Sequence, residues 1–169
     1  MEQGRNILLN QMSKYQDLTI TNQTVSALLN GYSALGLGQK AETLMMEVES
    51  LQATDHSAGS LSASSLDVGN YNSVLHACSL SHSVDDVVIA ERIFASTRDQ
   101  TPLAVSTGSS DTMFIFHIIP PKADLISYST MINCYCNHGK LEQAEDLLSE
   151  MHGSQIKPTV ACYLPVLRE

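Results

Sequence analysis

The side chains that could do chemistry fall into three groups, and their spacing closes none of them into a reactive site. Cys134, Cys136 and His138 form C-x-C-x-H. Thiolates and imidazole bind zinc, but on a helix residues i and i+2 face nearly opposite ways, so these three cannot close on one metal. The chain has four cysteines without regular spacing, which predicts reduced structural thiols rather than a zinc site or a disulfide framework. Glu142, Glu145, Asp146 and Glu150 crowd one helical stretch. They read as a solvated face whose first members sit at the positive end of a helix. The six histidines, His56, His76, His82, His117, His138 and His152, are scattered. No glycine-rich phosphate loop follows a strand, and no serine sits in a nucleophile elbow. The expectation is a binding module: not an enzyme, with no metal and no cofactor.

Binding then depends on which elements carry polar side chains in a row. Residues 123–159 spell one complete unit. Tyr128, Met131, Ile132, Tyr135 and Cys136 fall at i, i+3, i+4, i+7 and i+8, one apolar stripe of a helix that Ser127 can cap. Gly139 permits a tight reversal. Leu141, Ala144, Leu147, Leu148 and Met151 make a second stripe, stopped by Gly153 and Pro158. Helices this short do not hold themselves together in water, so both stripes must bury against each other and against neighbours. A stack of such hairpins supplies the neighbours.

The unit recurs. Leu28, Leu29, Gly31, Tyr32, Gly36, Ala41, Leu44, Met45 and Val48 repeat the spacing of Met131, Ile132, Cys134, Tyr135, Gly139, Ala144, Leu147, Leu148 and Met151. A looser copy opens on Tyr71, Val74, Leu75 and Ala77 and closes on Ala90, Ile93 and Phe94. Ala77 to Ala90 spans 13 residues where Cys134 to Ala144 spans 10, which predicts a longer turn between its helices. Tyr163 follows Tyr128 by 35 residues and opens another copy. Ile7, Leu8 and Met12 resemble a closing stripe. The expected division is a second helix alone in residues 1–21, a repeat in 22–49, a Ser-rich loop in 50–66, a divergent repeat in 67–97, an insertion with an apolar run in 98–122, a complete repeat in 123–159 and a first helix alone in 160–169.

Tyr128-Ser129-Thr130-Met131-Ile132-Asn133, Gly139-Lys140-Leu141-Glu142-Gln143-Ala144, Glu150-Met151 and Ile156-Lys157-Pro158 resemble the pentatricopeptide repeat (PPR). That family's unit is a helical hairpin of roughly 35 residues that reads RNA one base per repeat. The related tetratricopeptide repeat, a protein-binding module, usually carries Gly where Ile132 stands and lacks the apolar-Lys-Pro ending. The resemblance covers residues 123–159 most fully, and then 22–51. It implies an all-α solenoid, a PPR/TPR-like right-handed superhelix.

Composition bounds that implication. In 169 residues the chain carries a net charge of −9, and phosphate affinity comes largely from Lys and Arg, so strong non-specific nucleic-acid binding is not expected. Two stretches interrupt the repeat. From Val25 to Tyr71 is 46 residues and from Tyr71 to Tyr128 is 57, against 35 in the regular spacing. Residues 50–66 read as a flexible loop, tolerable because closure entropy grows slowly with length. In 98–122 a polar arm leads into Met113-Phe114-Ile115-Phe116-His117-Ile118-Ile119, too short to span a membrane and expected to pack over an edge of the stack. No basic region followed by an apolar core opens the chain, so no targeting peptide is visible.

Function, on the resemblance, rests on the inner face of the stack. The residue after the first-helix Tyr would meet a base edge, assisted by the residue that closes the repeat. The RNA base-reading pairs carried over are Ser26 with Asp67, Asn72 with Asp124, and Ser129 with Thr159. In the family such pairs favour G, then U, then, less well assigned, a purine. Lys often stands near the end of the first helix, toward the phosphate, whereas Ala34 and Asn137 stand there here. The resemblance therefore implies a weak partner, single-stranded RNA over a few bases, with no membrane role. It further implies work in RNA processing, stability or translation in a mitochondrion or plastid. The competing reading is a helical repeat scaffold that binds protein partners and no RNA.

Overall fold

The structure, a computed structural model, describes residues 22–52, 61–63, 66–107, 114–153 and 155–168. Seven helices lie among them: α1 (Asn22–Ala34), α2 (Gly38–Gln52), α3 (Val68–Leu80), α4 (Val84–Asp99), α5 (Leu125–Asn137), α6 (Leu141–Gly153) and α7 (Val160–Val166). Three hairpins, α1–α2, α3–α4 and α5–α6, are followed by the single helix α7. The first helices α1, α3, α5 and α7 pack in succession as one layer, with α2 against α3 and α4 against α5 behind them. The helical stack implied by the resemblance is thus the body of the molecule. The half-repeat expected over residues 1–21 lies outside the described residues.

The stripes are the core. Leu29, Tyr32, Ala41, Leu44, Met45 and Val48 are fully buried in the first hairpin, and Met131, Ile132, Ala144 and Met151 in the third. Ala77 and Cys134, equivalent small residues on α3 and α5, are also fully buried. The α1–α2 and α5–α6 turns close alike. Gly36 and Gly139 take φ of 62° and 67°, a left-handed conformation that costs glycine little. In one, Leu37 N–H reaches Tyr32 O at 3.1 Å and Gly36 N–H reaches Ser33 O at 3.1 Å. In the other, Lys140 N–H reaches Tyr135 O at 2.8 Å and Gly139 N–H reaches Cys136 O at 2.9 Å, so two orphan carbonyls are satisfied at each helix end.

The longer turn expected in the divergent repeat is not there. Ser81 to Ser83 join α3 to α4, three residues as in the other hairpins. The surplus lengthens α4 instead, to 16 residues against 13 in α6. Val84, Asp85 and Asp86 add most of a turn at its start, which shifts the buried face little, and the two aspartates there suit the positive helix end.

The two insertions also depart from expectation. They form one sheet from β1 (Leu61–Ala63), β2 (Leu103–Thr107) and β3 (Phe114–Ile119), in the order β1-β3-β2, with β2 antiparallel and β1 parallel to β3. Part of the stretch read as a flexible loop is therefore a strand, and the apolar run expected to pack over an edge of the stack is the central strand of this sheet. Leu103 pairs with Ile118 and both are buried, whereas Ala104 pairs with exposed His117. This alternation turns one face of the sheet inward, and β2 lies against α2. The beta-branched and aromatic content of the run is a strand signal, but its partners stand in other segments that no local period identifies. Among the described residues no helix is long and apolar enough to cross a membrane.

Candidate functional site

The first-helix layer carries a ladder of polar side chains from helix to helix. Between α1 and α3, Ser26 Oγ donates to Asn70 Oδ1 at 2.7 Å, Ser73 Oγ to Asn30 Oδ1 at 2.8 Å, and Ser33 Oγ lies 2.6 Å from His76 Nδ1. Between α3 and α5, Asn72 Nδ2 donates to Asp124 Oδ1 at 3.1 Å and Ser127 Oγ to Asn72 Oδ1 at 2.7 Å. Asn137 Nδ2 donates to Ser79 O at 2.7 Å at the far end. A cleft of about 310 Å³ opens on this face, lined by Asn30, Ser33, Asn72, Ser73, His76 and Ile126 among others.

Helix caps position the ladder. Asp67 begins α3, its carboxylate accepting from Asn70 N–H at 2.9 Å, and Asp124 begins α5, accepting from Ser127 N–H at 2.9 Å. Ser127 Oγ also accepts from Asp124 N–H at 3.1 Å, completing a capping box. Ser26 meets the third residue of the next first helix, Asn70, and Asn72 meets the third residue of the one after, Ser127. The same device is used twice. Burial raises the Asp124 carboxyl, but bonds from Ser127 N–H, the Asn72 amide and the Ser127 hydroxyl prevail and hold it below the usual carboxylate range.

Of the residues expected to read bases, Asn72 and Asp124 are brought into direct contact. Ser26 and Asp67 are joined through Asn70. Ser129 and Thr159 are not joined by a hydrogen bond among the described residues: Ser129 Oγ donates back to Ile126 O at 3.1 Å, and Thr159 precedes α7 with Oγ1 3.7 Å from Cys162 Sγ. Asn72 is only 7% exposed, Ser26, Asp124 and Ser129 are half-buried, and Asp67 and Thr159 are exposed. Sequence reasoning missed Asn70, the role of Ser127, which it read as the cap of α5 where Asp124 stands instead, and Asn30, Ser73 and the Ser33–His76 pair. Aspartate followed three residues later by Asn or Ser, just ahead of an apolar stripe, is the signal that could have found the first two.

Several of the groups weighed for chemistry are buried or held structurally. Burial pushes the Cys78 and Cys134 thiols up to about 12, so both stay neutral. His138 Nδ1 lies 2.8 Å from Cys134 O, where a ring N–H satisfies a carbonyl of the last turn of α5. Among the described residues no three His, Cys, Asp or Glu side chains are placed to hold a metal ion.

Stacked helical hairpins with a polar ladder along the first-helix layer define a helical-hairpin repeat solenoid. Residues 123–168 match the model described as the PPR repeat family, and residues 23–52 match that described as the PPR repeat. The crystal structure of the pentatricopeptide repeat protein PPR10 from maize has the same fold, with a TM-score of 0.59 and 22% identity. The match covers 93% of this chain and 18% of that one, so the chain spans under a fifth of that protein's length. No curated protein matches. Over residues 23–52 and 123–168 the chain carries repeats of the pentatricopeptide repeat family.

Proposed function

We propose that the chain is a sequence-specific single-stranded RNA-binding module of a pentatricopeptide repeat protein, acting in RNA processing, stability or translation in a mitochondrion or plastid. The observation that carries this reading is the Asn72–Asp124 contact beside the cleft on the first-helix layer. An amide offers donor and acceptor to a base edge, and the carboxylate below it sets which way the amide faces. Asn72 already bonds Ser127 and Asp124, so a base must share or displace the Ser127 bond. That exchange lowers the net gain, and with a charge of −9 it points to weak binding. Ser26 with Asp67, Asn72 with Asp124, and Ser129 with Thr159 would then favour G, U and a purine along the strand.

Replacing Asn72 by Ser is expected to move the middle preference from U toward G by about 1 kcal/mol, one net hydrogen bond. Competition between G-U-A and G-G-A oligonucleotides at matched salt measures this for wild type and variant. An unchanged ratio would mean that Asn72 does not face a base. Absence of any RNA binding, together with capture of a peptide, would support the protein-scaffold reading instead.

A further inference from the structure

Three of the chain's nine Lys and Arg side chains line one groove of about 690 Å³, in a protein of net charge −9. Arg98 comes from the end of α4, Lys122 from the connector between β3 and α5, and Lys157 from the connector between α6 and α7. Ala123, Leu125 and Ile156 contribute apolar lining, and Asp124 stands in the wall. Asp124 is also the acceptor for Asn72, so this groove begins where the polar ladder reaches α5.

The cations in it are not equally occupied. Arg98 bonds Asp99 at 2.8 and 2.9 Å and Glu150 at 3.3 Å. The Asp124 carboxylate is engaged by Ser127 N–H and the Asn72 amide. Lys122 and Lys157 are exposed and, among the described residues, make no ion pair. Elsewhere, Lys140 pairs with Glu91 and Arg92 with Glu42. Two unanswered ammonium groups from separate connectors thus border one groove beside Asp124.

The geometry points to this groove as a seat for one or two backbone phosphates of a single-stranded RNA, next to the nucleotide that meets Asn72 and Asp124. The inference rests on the RNA reading above and adds the backbone contact that Ala34 and Asn137 do not provide. Lys122 and Lys157 hold the phosphate charge, and the apolar lining accepts the carbon face of the sugar. On an otherwise acidic surface, such a locally positive groove fixes where the strand runs.

The test is fluorescence anisotropy of a labelled G-U-A-containing RNA across a salt series. It compares wild type, Lys122→Ala/Lys157→Ala, and the control Arg92→Ala/Arg168→Ala, whose side chains do not line the groove, with circular dichroism to confirm equal folding. The groove variant is expected to bind roughly tenfold more weakly, alike for G-U-A and G-G-A strands. Its dependence of log affinity on log salt should flatten by about 1.4, two phosphates at about 0.7 each. The control should keep the wild-type slope. Replacing the phosphate beside the U by a neutral methylphosphonate should weaken wild type and leave the groove variant unaffected. Equal losses in both double variants would show general charge at work and overturn the proposal. So would inorganic phosphate binding wild type alone, by calorimetry, while the methylphosphonate strand binds as well as the natural one. Binding by wild type with an unchanged slope in the groove variant overturns this inference alone, whereas no RNA binding by wild type overturns it together with the reading it rests on.

Discussion

Replacing Phe94 by Ala is expected to destabilise the protein by about 3 to 5 kcal/mol, the cost of an emptied aromatic site in a packed core. The ring is 3% exposed and joins the second and third hairpins. It meets Tyr128 of α5 edge to face, with centroids 5.0 Å apart and planes at 88°, and the Arg98 guanidinium lies 5.9 Å from its centre. Such pairs contribute about 0.5 to 1.5 kcal/mol beyond the area they bury. Tyr128 also donates to Glu150 at 2.8 Å, so its ring is held from the α6 side and has little freedom to fill the void. In a stack each hairpin touches only its neighbours, so a hole between two of them weakens the whole array. Urea unfolding measures the effect, with Val88→Ala on the same helix as control, since Val88 is exposed and its truncation should change stability by about 0.5 kcal/mol or less. Matching losses for the two variants would contradict the described packing of α4 on α5.

Asp124→Ala is expected to cost about 1.5 to 5 kcal/mol, more than an ordinary cap. Loss of the cap itself accounts for about 0.5 to 2 kcal/mol. The remainder comes from Asn72, whose amide is buried and would lose its acceptor, at about 1 to 3 kcal/mol. The pH dependence follows from the lowered carboxyl of Asp124. A group whose folded pKa is depressed contributes stability that is present above its unfolded pKa, near 3.9, and is lost as pH falls through the folded one. The gap between wild type and Asp124→Ala should therefore be full near neutral pH and narrow progressively below about pH 4. Chemical denaturation at several pH values reads it. A gap that stays constant down to about pH 2 would mean that the ionised carboxylate is not what holds Asn72 and Ser127.

Much of the helical body is legible in the chain because its causes are local. The stripe from Tyr128 to Cys136 follows from 3.6-residue periodicity, and its burial in α5 is the direct consequence. Gly36 and Gly139 mark turns because few other residues take a positive φ without strain. The three residues beyond the regular spacing between Ala77 and Ala90 were visible as a number, but spacing does not say whether a surplus lengthens a turn or a helix. Favourable charge at the start of α4, from Asp85 and Asp86, is consistent with the helix taking them.

The chain by itself determined the hairpin and its apolar stripes and carried the family resemblance, since each of these depends on residues within about one or two turns of each other, whereas the cap read at Ser127 stands three residues earlier, at Asp124. Only the tertiary structure decided what meets across larger separations. The resemblance paired Asn72 with Asp124, 52 residues apart, but their direct hydrogen bond exists because stacking sets α3 beside the start of α5. The β1–β3 pairing joins two insertions on either side of the second hairpin, and the groove of Arg98, Lys122 and Lys157 gathers the end of α4 and two connectors. Such contacts offset the entropy of closing long loops only once the packed helices have already brought the segments together, so no local spacing encodes them.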